Sequence, residues 1–275
     1  MSGRLVVVAT PIGNLGDLSP RAVAALGAAD VVACEDTRRT RKLFSHAGLV
    51  TPPMEVVNDH TEVARTTRLL DHLAQGRTVV LVSDAGMPLV SDPGEYLVAA
   101  VVDAGHPVEI VPGPSAALSA LAISGLPTGR FSFEGFLPRR GSARRERVAA
   151  VAGEDRTVVL YEAPHRLSAT LDELVAAAGA DRPVAIAREL TKLHEEVYRG
   201  DLAGARDWAA GGVKGEVVLV LGSAPSPAEI DDAAIVDAVR AARAGGASHA
   251  AASRAVSTEL GVSRRRVYEL TLDRD

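Results

Sequence analysis

TVVLVSDAGMPLVSDPGEYLVAAVVDAGHPVEIVPG, residues 78–113, holds two apolar, β-branched runs with a helical pattern between them. TVVLVSD (78–84) and PVEIVPG (107–113) read as short buried strands, and GEYLVAAVVDAG (94–105) reads as a helix. Two strands joined through a helix form a βαβ unit, the signature of a parallel sheet. Residues 83–94, SDAGMPLVSDPG, break this regularity at a strand end. These twelve residues include two Gly, two Pro, two Ser and two Asp, with little that could build a core. A long loop at the end of a buried strand is a candidate ligand loop.

The alternation continues on both sides. RLVVVAT (4–10) and DVVACED (30–36) read as strands, and SPRAVAALGAA (19–29) as a helix with Ser19 as N-cap and Pro20 in its first turn. TEVARTTRLLDHLAQG (61–76) is an amphipathic helix closed by Gly76, and PSAALSALAISG (114–125) an apolar helix. RFSFEGFL (130–137), RTVVLYEA (156–163), PVAIAREL (183–190) and GEVVLVLG (215–222) read as strands, with HRLSATLDELVAAAG (165–179) helical. The pattern predicts an α/β fold with a mostly parallel sheet arrangement. Breaks at ISGLPTGR and at SAPSPAEIDD (223–232) predict α/β domains over 1–124 and 125–222, then a linker and a helical extension over 223–275.

Composition sets the class. The chain has 275 residues, is 47% hydrophobic and carries a net charge of −5, which fits a soluble globular protein. Any nucleic acid must then be held by local basic patches. The single cysteine, Cys34, excludes an internal disulfide and fits a reducing compartment. MSGRLVVVATP has too short an apolar run for a signal peptide, and no apolar stretch approaches ~18 residues, so a cytoplasmic location is expected.

Five breaks fall at strand ends, four of them containing Gly or Pro: TPIGNLGD (10–17), CEDTRRT (34–40), SDAGMPLVSDPG, VPGPSAA (111–117) and YEAPHR (161–166). Together they predict a ligand cleft outside the carboxyl ends of the strands. TPIGNLGD is not GxGxxG, there is no GxxxxGK[ST] and no GxSxG, and the seven His form no HxH or HExxH, so no metal site is expected.

Taken together, VATPIGNLGDLSPRAVAALGAADVVACEDTRRT, SDAGMPLVSDPG, VPGPSAALSALAISGLP, FEGFLPR, YEAPHRL, ARELTKLHEEVYRG and GEVVLVLG resemble, in order, the ribosomal small-subunit RNA cytidine 2′-O-methyltransferases of the tetrapyrrole methylase superfamily. The resemblance spans residues 5–222. TPIGNLGD and SDAGMPLVSDPG differ from the GxGPGD and GDP of the tetrapyrrole-modifying members. Met87 stands where a small Thr is expected, and in NDHTE (58–62) Asn58 and Thr61 replace a His and an Asn.

The resemblance implies two α/β domains with S-adenosylmethionine in the cleft between them, a homodimer, and methylation of a cytidine ribose in the decoding region of 16S rRNA. It implies cofactor contacts at Pro11, Ile12, Gly13, Asp84, Ala85, Gly86, Met87, Ser115, Ala116, Leu160, Tyr161, Ala187 and Gly215. A ribose hydroxyl is a weak acid, so a base or a cation beside it helps the transfer. Candidates on the strand-end loops are Glu35, Asp36, Arg38, His165, Arg166, Glu189 and Lys192. Glu35 and Asp36 are equally placed to cap the helix after them, His165 to cap its own helix, and Glu189 with Lys192 to form a plain ion pair.

PRRGSARRER concentrates Arg139, Arg140, Arg144, Arg145 and Arg147, which suits phosphate contacts or a solvated helix start. Phe131, Phe133 and Phe136 just upstream read mainly as core. AASRAVSTELGVSRRRVYELTL reads as helix–turn–helix, with Gly261 at the turn, Ser263 as cap and Arg264, Arg265 and Arg266 in the next first turn. It suits an RNA-contacting accessory, a structural helical pair, or DNA binding. Two other functions fit parts of the sequence: a small-macrocycle methylase, and a DNA-binding regulator with an α/β sensor.

Overall fold

The structure, a computed structural model, describes residues 3–58, 60–225 and 231–272. Asp59 of NDHTE and residues 226–230 of the linker thus lie outside the described residues. The chain divides into two compact units, Met1–Ala224 and Pro225–Asp275.

The first sheet of the larger unit comprises β1 (Arg4–Val8), β2 (Val31–Cys34), β3 (Met54–Val56), β4 (Thr78–Leu81) and β5 (Val108–Val111). Its order is β3-β2-β4-β1-β5 and every pairing is parallel. The helices are α1 (Pro20–Gly27), α2 (Thr37–His46), α3 (Glu62–Ala74), α4 (Glu95–Asp103) and α5 (Ala116–Ile123). Alternation along the strands sends Val6, Val8, Val32 and Cys34 to one face, against Leu26 of α1 and Phe44 of α2. Leu5, Val7, Val31 and Leu81 face the other way, against Leu69 of α3 and Leu97 of α4. Burial on both faces is why these strands read as unbroken apolar runs. Ser19 caps α1 as expected, accepting from Ala22 N at 3.1 Å.

The second sheet comprises β6 (Phe131–Phe136), β7 (Thr157–Glu162), β8 (Pro183–Arg188), β9 (Glu196–Asp201) and β10 (Val217–Leu221), in the order β6-β7-β10-β8-β9. Its helices are α6 (Ser142–Gly153), α7 (Leu167–Ala178) and α8 (Leu202–Ala209). Here the expectation of a mostly parallel sheet fails. β6 and β7 pair in parallel, but β10 runs antiparallel to both β7 and β8, and β9 antiparallel to β8. The connection from β8 to β9 is too short for a helical crossover, so those strands form a hairpin. One face of this sheet packs on α6, α7 and α8. The other face, with Val159, Ala185, Ala187 and Val218, packs on Ala117, Ala120 and Leu121 of α5. The first half of the chain thus supplies a helix that covers the second sheet.

The smaller unit has α9 (Asp232–Ala244), α10 (His249–Leu260) and α11 (Arg264–Thr271) around Ile235, Val239, Ala252, Val256 and Val267. Gly261 adopts φ +63° at the turn and Ser263 accepts from Arg266 N, as the sequence predicts. No helix among the described residues is long and apolar enough to cross a membrane.

Candidate active site

Two loops meet at the carboxyl end of the first sheet. Thr10 N donates to Gly86 O at 2.8 Å, and Gly86 N returns to Thr10 O at 3.1 Å. Gly86 holds φ +84°, and a Cβ there would press on Ile12 at 3.2 Å, so glycine permits this junction. Farther along the same loop, Leu89 and Ser91 also adopt positive φ, +72° and +65°. Non-glycine residues held there mark a loop whose shape is imposed by its surroundings.

A cavity of about 310 Å³ opens between this loop, the start of α5 and the second sheet. Seven expected cofactor residues line it: Ile12, Ala85, Gly86, Met87, Ser115, Ala116 and Tyr161. Asp92, Phe136 and Glu216 line it too, none of them expected as a cofactor contact. Phe136 was read as core. It is instead 54% exposed and lies 5.5 Å from the Tyr161 ring, while Phe133 packs edge-on to Tyr161 at 5.0 Å. Asp92 belongs to the quoted loop, so its signal was available in the second Asp of SDAGMPLVSDPG. Burial pushes its carboxyl up to about 6, with the Ser83 hydroxyl beside it pulling the other way.

Three acidic residues line the cavity and two have cations, the Glu162 side chain itself being fully enclosed. Glu162 pairs with Arg166 at 3.3 Å, and Glu216 pairs with Lys192 at 3.0 Å. Asp92 has no ion pair among the described residues. Burial also raises the Tyr161 hydroxyl.

A second cavity of about 370 Å³ adjoins the first and shares Ile12, Ala85 and Glu216 with it. Pro11, Gly13, Asp84 and Lys192 line this one. Asp84 accepts from Asp36 N at 3.0 Å and lies 3.4 Å from Arg39. Burial raises its carboxyl despite these partners. Lys192 Nζ donates to Glu189 Oε1 at 2.7 Å and to Glu216 Oε2 at 3.0 Å, and Glu216 N donates to Glu189 Oε1 at 2.9 Å. Burial would lower Lys192, but the two carboxylates outweigh it and hold the ammonium above its ordinary value. Lys192 and Glu216 N hold the Glu189 carboxyl below its own. Glu189 and Thr191 carry φ +50° and +65°.

Several expected residues are placed elsewhere. Leu160 points to the opposite face of β7 from Tyr161 and is buried against α6–α8, as strand alternation requires. Ala187 is buried under α5. Gly215 lines neither cavity: its φ of +89° leaves room for the Glu189 carboxylate, which a Cβ would strike. Asp36 caps α2, accepting from Arg38 N at 2.7 Å. Half-buried Glu35 and exposed Arg38 line neither cavity, whereas Arg39, one residue on, does. His165 is exposed, lines neither cavity and caps no helix. Arg166 lines neither cavity; it donates to Leu137 O at 2.8 Å and pairs with Glu162.

Of the basic cluster, Arg139, Arg140 and Arg145 are exposed around a groove of about 430 Å³. Arg144 is not a free phosphate ligand. It is 7% exposed and binds Glu173 at 2.8 Å, Pro138 O at 3.0 Å and Thr170 at 2.8 Å. Arg147 is exposed but paired with Glu134. In the smaller unit Arg264 and Arg265 are exposed, Arg265 pairs with Glu269 at 2.7 Å, and Arg266 pairs with Asp232 at 2.8 Å. No group of His, Cys, Asp and Glu suited to a metal occurs among the described residues.

Residues 4–206 match the family model of tetrapyrrole (corrin/porphyrin) methylases. The chain is 48% identical to the ribosomal RNA small subunit methyltransferase I of Mycobacterium tuberculosis over 272 residues, covering 98% of this chain and 95% of that protein. It is 44% identical to the protein of the same name from Synechocystis, covering 98% of each. A solved uroporphyrin-III C-methyltransferase of Thermus thermophilus, in complex with S-adenyl homocysteine, has the same fold: TM-score 0.56, 22% identity, covering 80% of this chain and 96% of that one.

Proposed function

The chain belongs to the tetrapyrrole methylase family, in the branch of ribosomal RNA small subunit methyltransferase I, and we propose that it methylates a cytidine ribose 2′-hydroxyl in the decoding region of 16S rRNA, using S-adenosylmethionine. The observation that carries this reading is the smaller cavity. Its walls are largely apolar, and it holds one carboxylate, Asp92, with no ion pair among the described residues. Such a site favours a cationic ligand with a flat, weakly polar part, and its volume suits a small-molecule cofactor. S-adenosylmethionine, when bound, supplies the electrophilic methyl group on a cationic sulfur. Met87, Phe136 and Tyr161 would flank its adenosyl portion, and Asp92 would balance its charge.

Lys192 and Asp84 border the adjoining cavity, where the nucleophile belongs. In this reading Asp84 takes the hydroxyl proton, since burial has made it a stronger base than an exposed carboxylate. Lys192 stabilises the oxygen as negative charge develops on it. The exposed arginines of the 139–145 groove supply phosphate contacts, and the protein works in the cytoplasm on the small ribosomal subunit. The exposed Val108 and Ile110 of the edge strand β5 support a homodimer, in which a second copy covers them.

Labelled methyl transfer to small subunits lacking the modification tests the reading, with naked 16S rRNA alongside. The expected product is 2′-O-methylcytidine, mapped by mass spectrometry. No label on either RNA, with cofactor binding intact, overturns it.

Asp92 adds a pH signature. The free carboxyl titrates near 6, and only its ionised form attracts a cation. Cofactor affinity is therefore flat above about pH 7 and falls below 6, by about tenfold per pH unit. Calorimetry with S-adenosylmethionine itself in the absence of RNA, whose sulfonium keeps its charge over this range, measures the effect. Asp92→Asn should bind more weakly at pH 7.5 and lose the acid limb. An unchanged limb in that variant removes Asp92 from the cofactor's charge balance.

A further inference from the structure

We propose that the second cavity is an RNA phosphate subsite, with Lys42 and Arg39 as its ligands. The inference rests on the methyltransferase reading above and assigns the nucleotide-bearing side of that site. The first support is position. The cavity shares Ile12, Ala85 and Glu216 with the cofactor cavity, so a ligand in one adjoins a ligand in the other.

The second support is charge. Helix α2, TRRTRKLFSH, has four cationic side chains (Arg38, Arg39, Arg41 and Lys42) and no acidic one in ten residues, within a chain of net charge −5. Thr40, Leu43 and Phe44 anchor the helix on the sheet, leaving these cations on the outside. Arg39 and Lys42, three residues apart, are neighbours on one face and both line the cavity. Arg39 approaches Asp84 through Nε at 3.4 Å and remains 59% exposed, so the outer edge of its guanidinium is open to a phosphate. Lys42 has no ion pair among the described residues and is exposed. Lys192 also lines the cavity, but Glu189 and Glu216 take two of its three ammonium donors, and the third is the one assigned to the reacting oxygen.

The third support is chemistry. A phosphodiester next to the reacting ribose is an invariant part of any RNA substrate. Holding it fixes the position of the 2′-hydroxyl whichever base is attached.

Fluorescence anisotropy with a single-stranded, cytidine-containing RNA oligonucleotide, in saturating S-adenosylhomocysteine, tests the proposal. Lys42→Glu should weaken RNA binding by at least about tenfold. The Arg39→Ala/Lys42→Ala pair should reduce the slope of log K against log salt by about one to two. The cofactor Kd should stay within about twofold. Arg68→Glu on α3, which packs on the opposite face of the first sheet, is the charge control and should change little. Both α2 positions are exposed, and thermal melting checks that the variants stay folded.

RNA affinity unchanged in both α2 variants overturns the subsite. Loss of cofactor affinity in its place assigns the second cavity to the cofactor and overturns the subsite too. A wild type that binds RNA and loses that binding in the α2 variants, yet transfers no methyl to any RNA, supports the subsite and overturns the methyltransferase reading. A wild type that does not bind the oligonucleotide overturns the subsite, and one that binds no small ribosomal subunit either overturns both.

Discussion

Replacing Lys192 by Met is expected to slow methyl transfer by about a hundred- to a thousandfold, the usual effect of removing a preorganised charge from a developing oxyanion. The stem is retained, so packing against Gly13 is preserved; a Cβ at Gly13 would lie 2.5 Å from Lys192 Cγ. What disappears is an ammonium clamped by Glu189 at 2.7 Å and Glu216 at 3.0 Å. The clamp requires Glu189 and Thr191 to hold positive φ and requires glycine at 215. A plain surface ion pair needs no such backbone. Single-turnover rates on small subunits at saturating cofactor, with the cofactor Kd measured in parallel, check this. A rate within about threefold of wild type, at unchanged Kd, makes the pair structural.

Removing the Glu162 carboxylate is expected to give the largest stability loss, about 3–5 kcal/mol for Glu162→Ala. The carboxylate is fully enclosed. It accepts from Ala163 N at 2.8 Å and Thr170 Oγ1 at 2.6 Å, and faces Arg166 at 3.3 Å. Thr170 in turn accepts from Arg144 at 2.8 Å. Truncation strands the Arg166 charge and a buried hydroxyl, and a stranded buried group costs more than the pair contributes. Glu162→Gln keeps the shape and part of the acceptor capacity, so a smaller loss is expected. Combined with Arg166→Met, its effect should be less than additive. Urea unfolding measures all three. A loss below about 1 kcal/mol for Glu162→Ala shows that this network does not hold α7 to the second sheet.

Arg144 and Arg166 illustrate what sequence patterns hide. Both stand in arginine-rich or strand-end stretches that favour phosphate or catalytic roles, and both are held by carbonyls just after β6 and by carboxylates of β7 and α7. Charge clustering along the chain reports that arginines are near one another. It does not report which of them meet a glutamate thirty residues away. Arg38 and Arg39 differ by one position on α2, and only the angular placement of the helix makes Arg39 the cavity residue.

Strand and helix periodicity, Ser19, Ser263 and Gly261 as punctuation, and the strand-end loops are local properties. Each follows from a few neighbouring residues and was legible before any coordinates. Seven residues that line the first cavity were named through the family resemblance, which carries over motif positions and not periodicity. The direction of β10, the packing of α5 on the second sheet, the exposure of Phe136, and the pairing state of each charge depend on segments distant in the chain. Asp92 joins the two classes. Its place in a ligand loop is written in the sequence, whereas its burial without a cation exists only once the two sheets have closed around it.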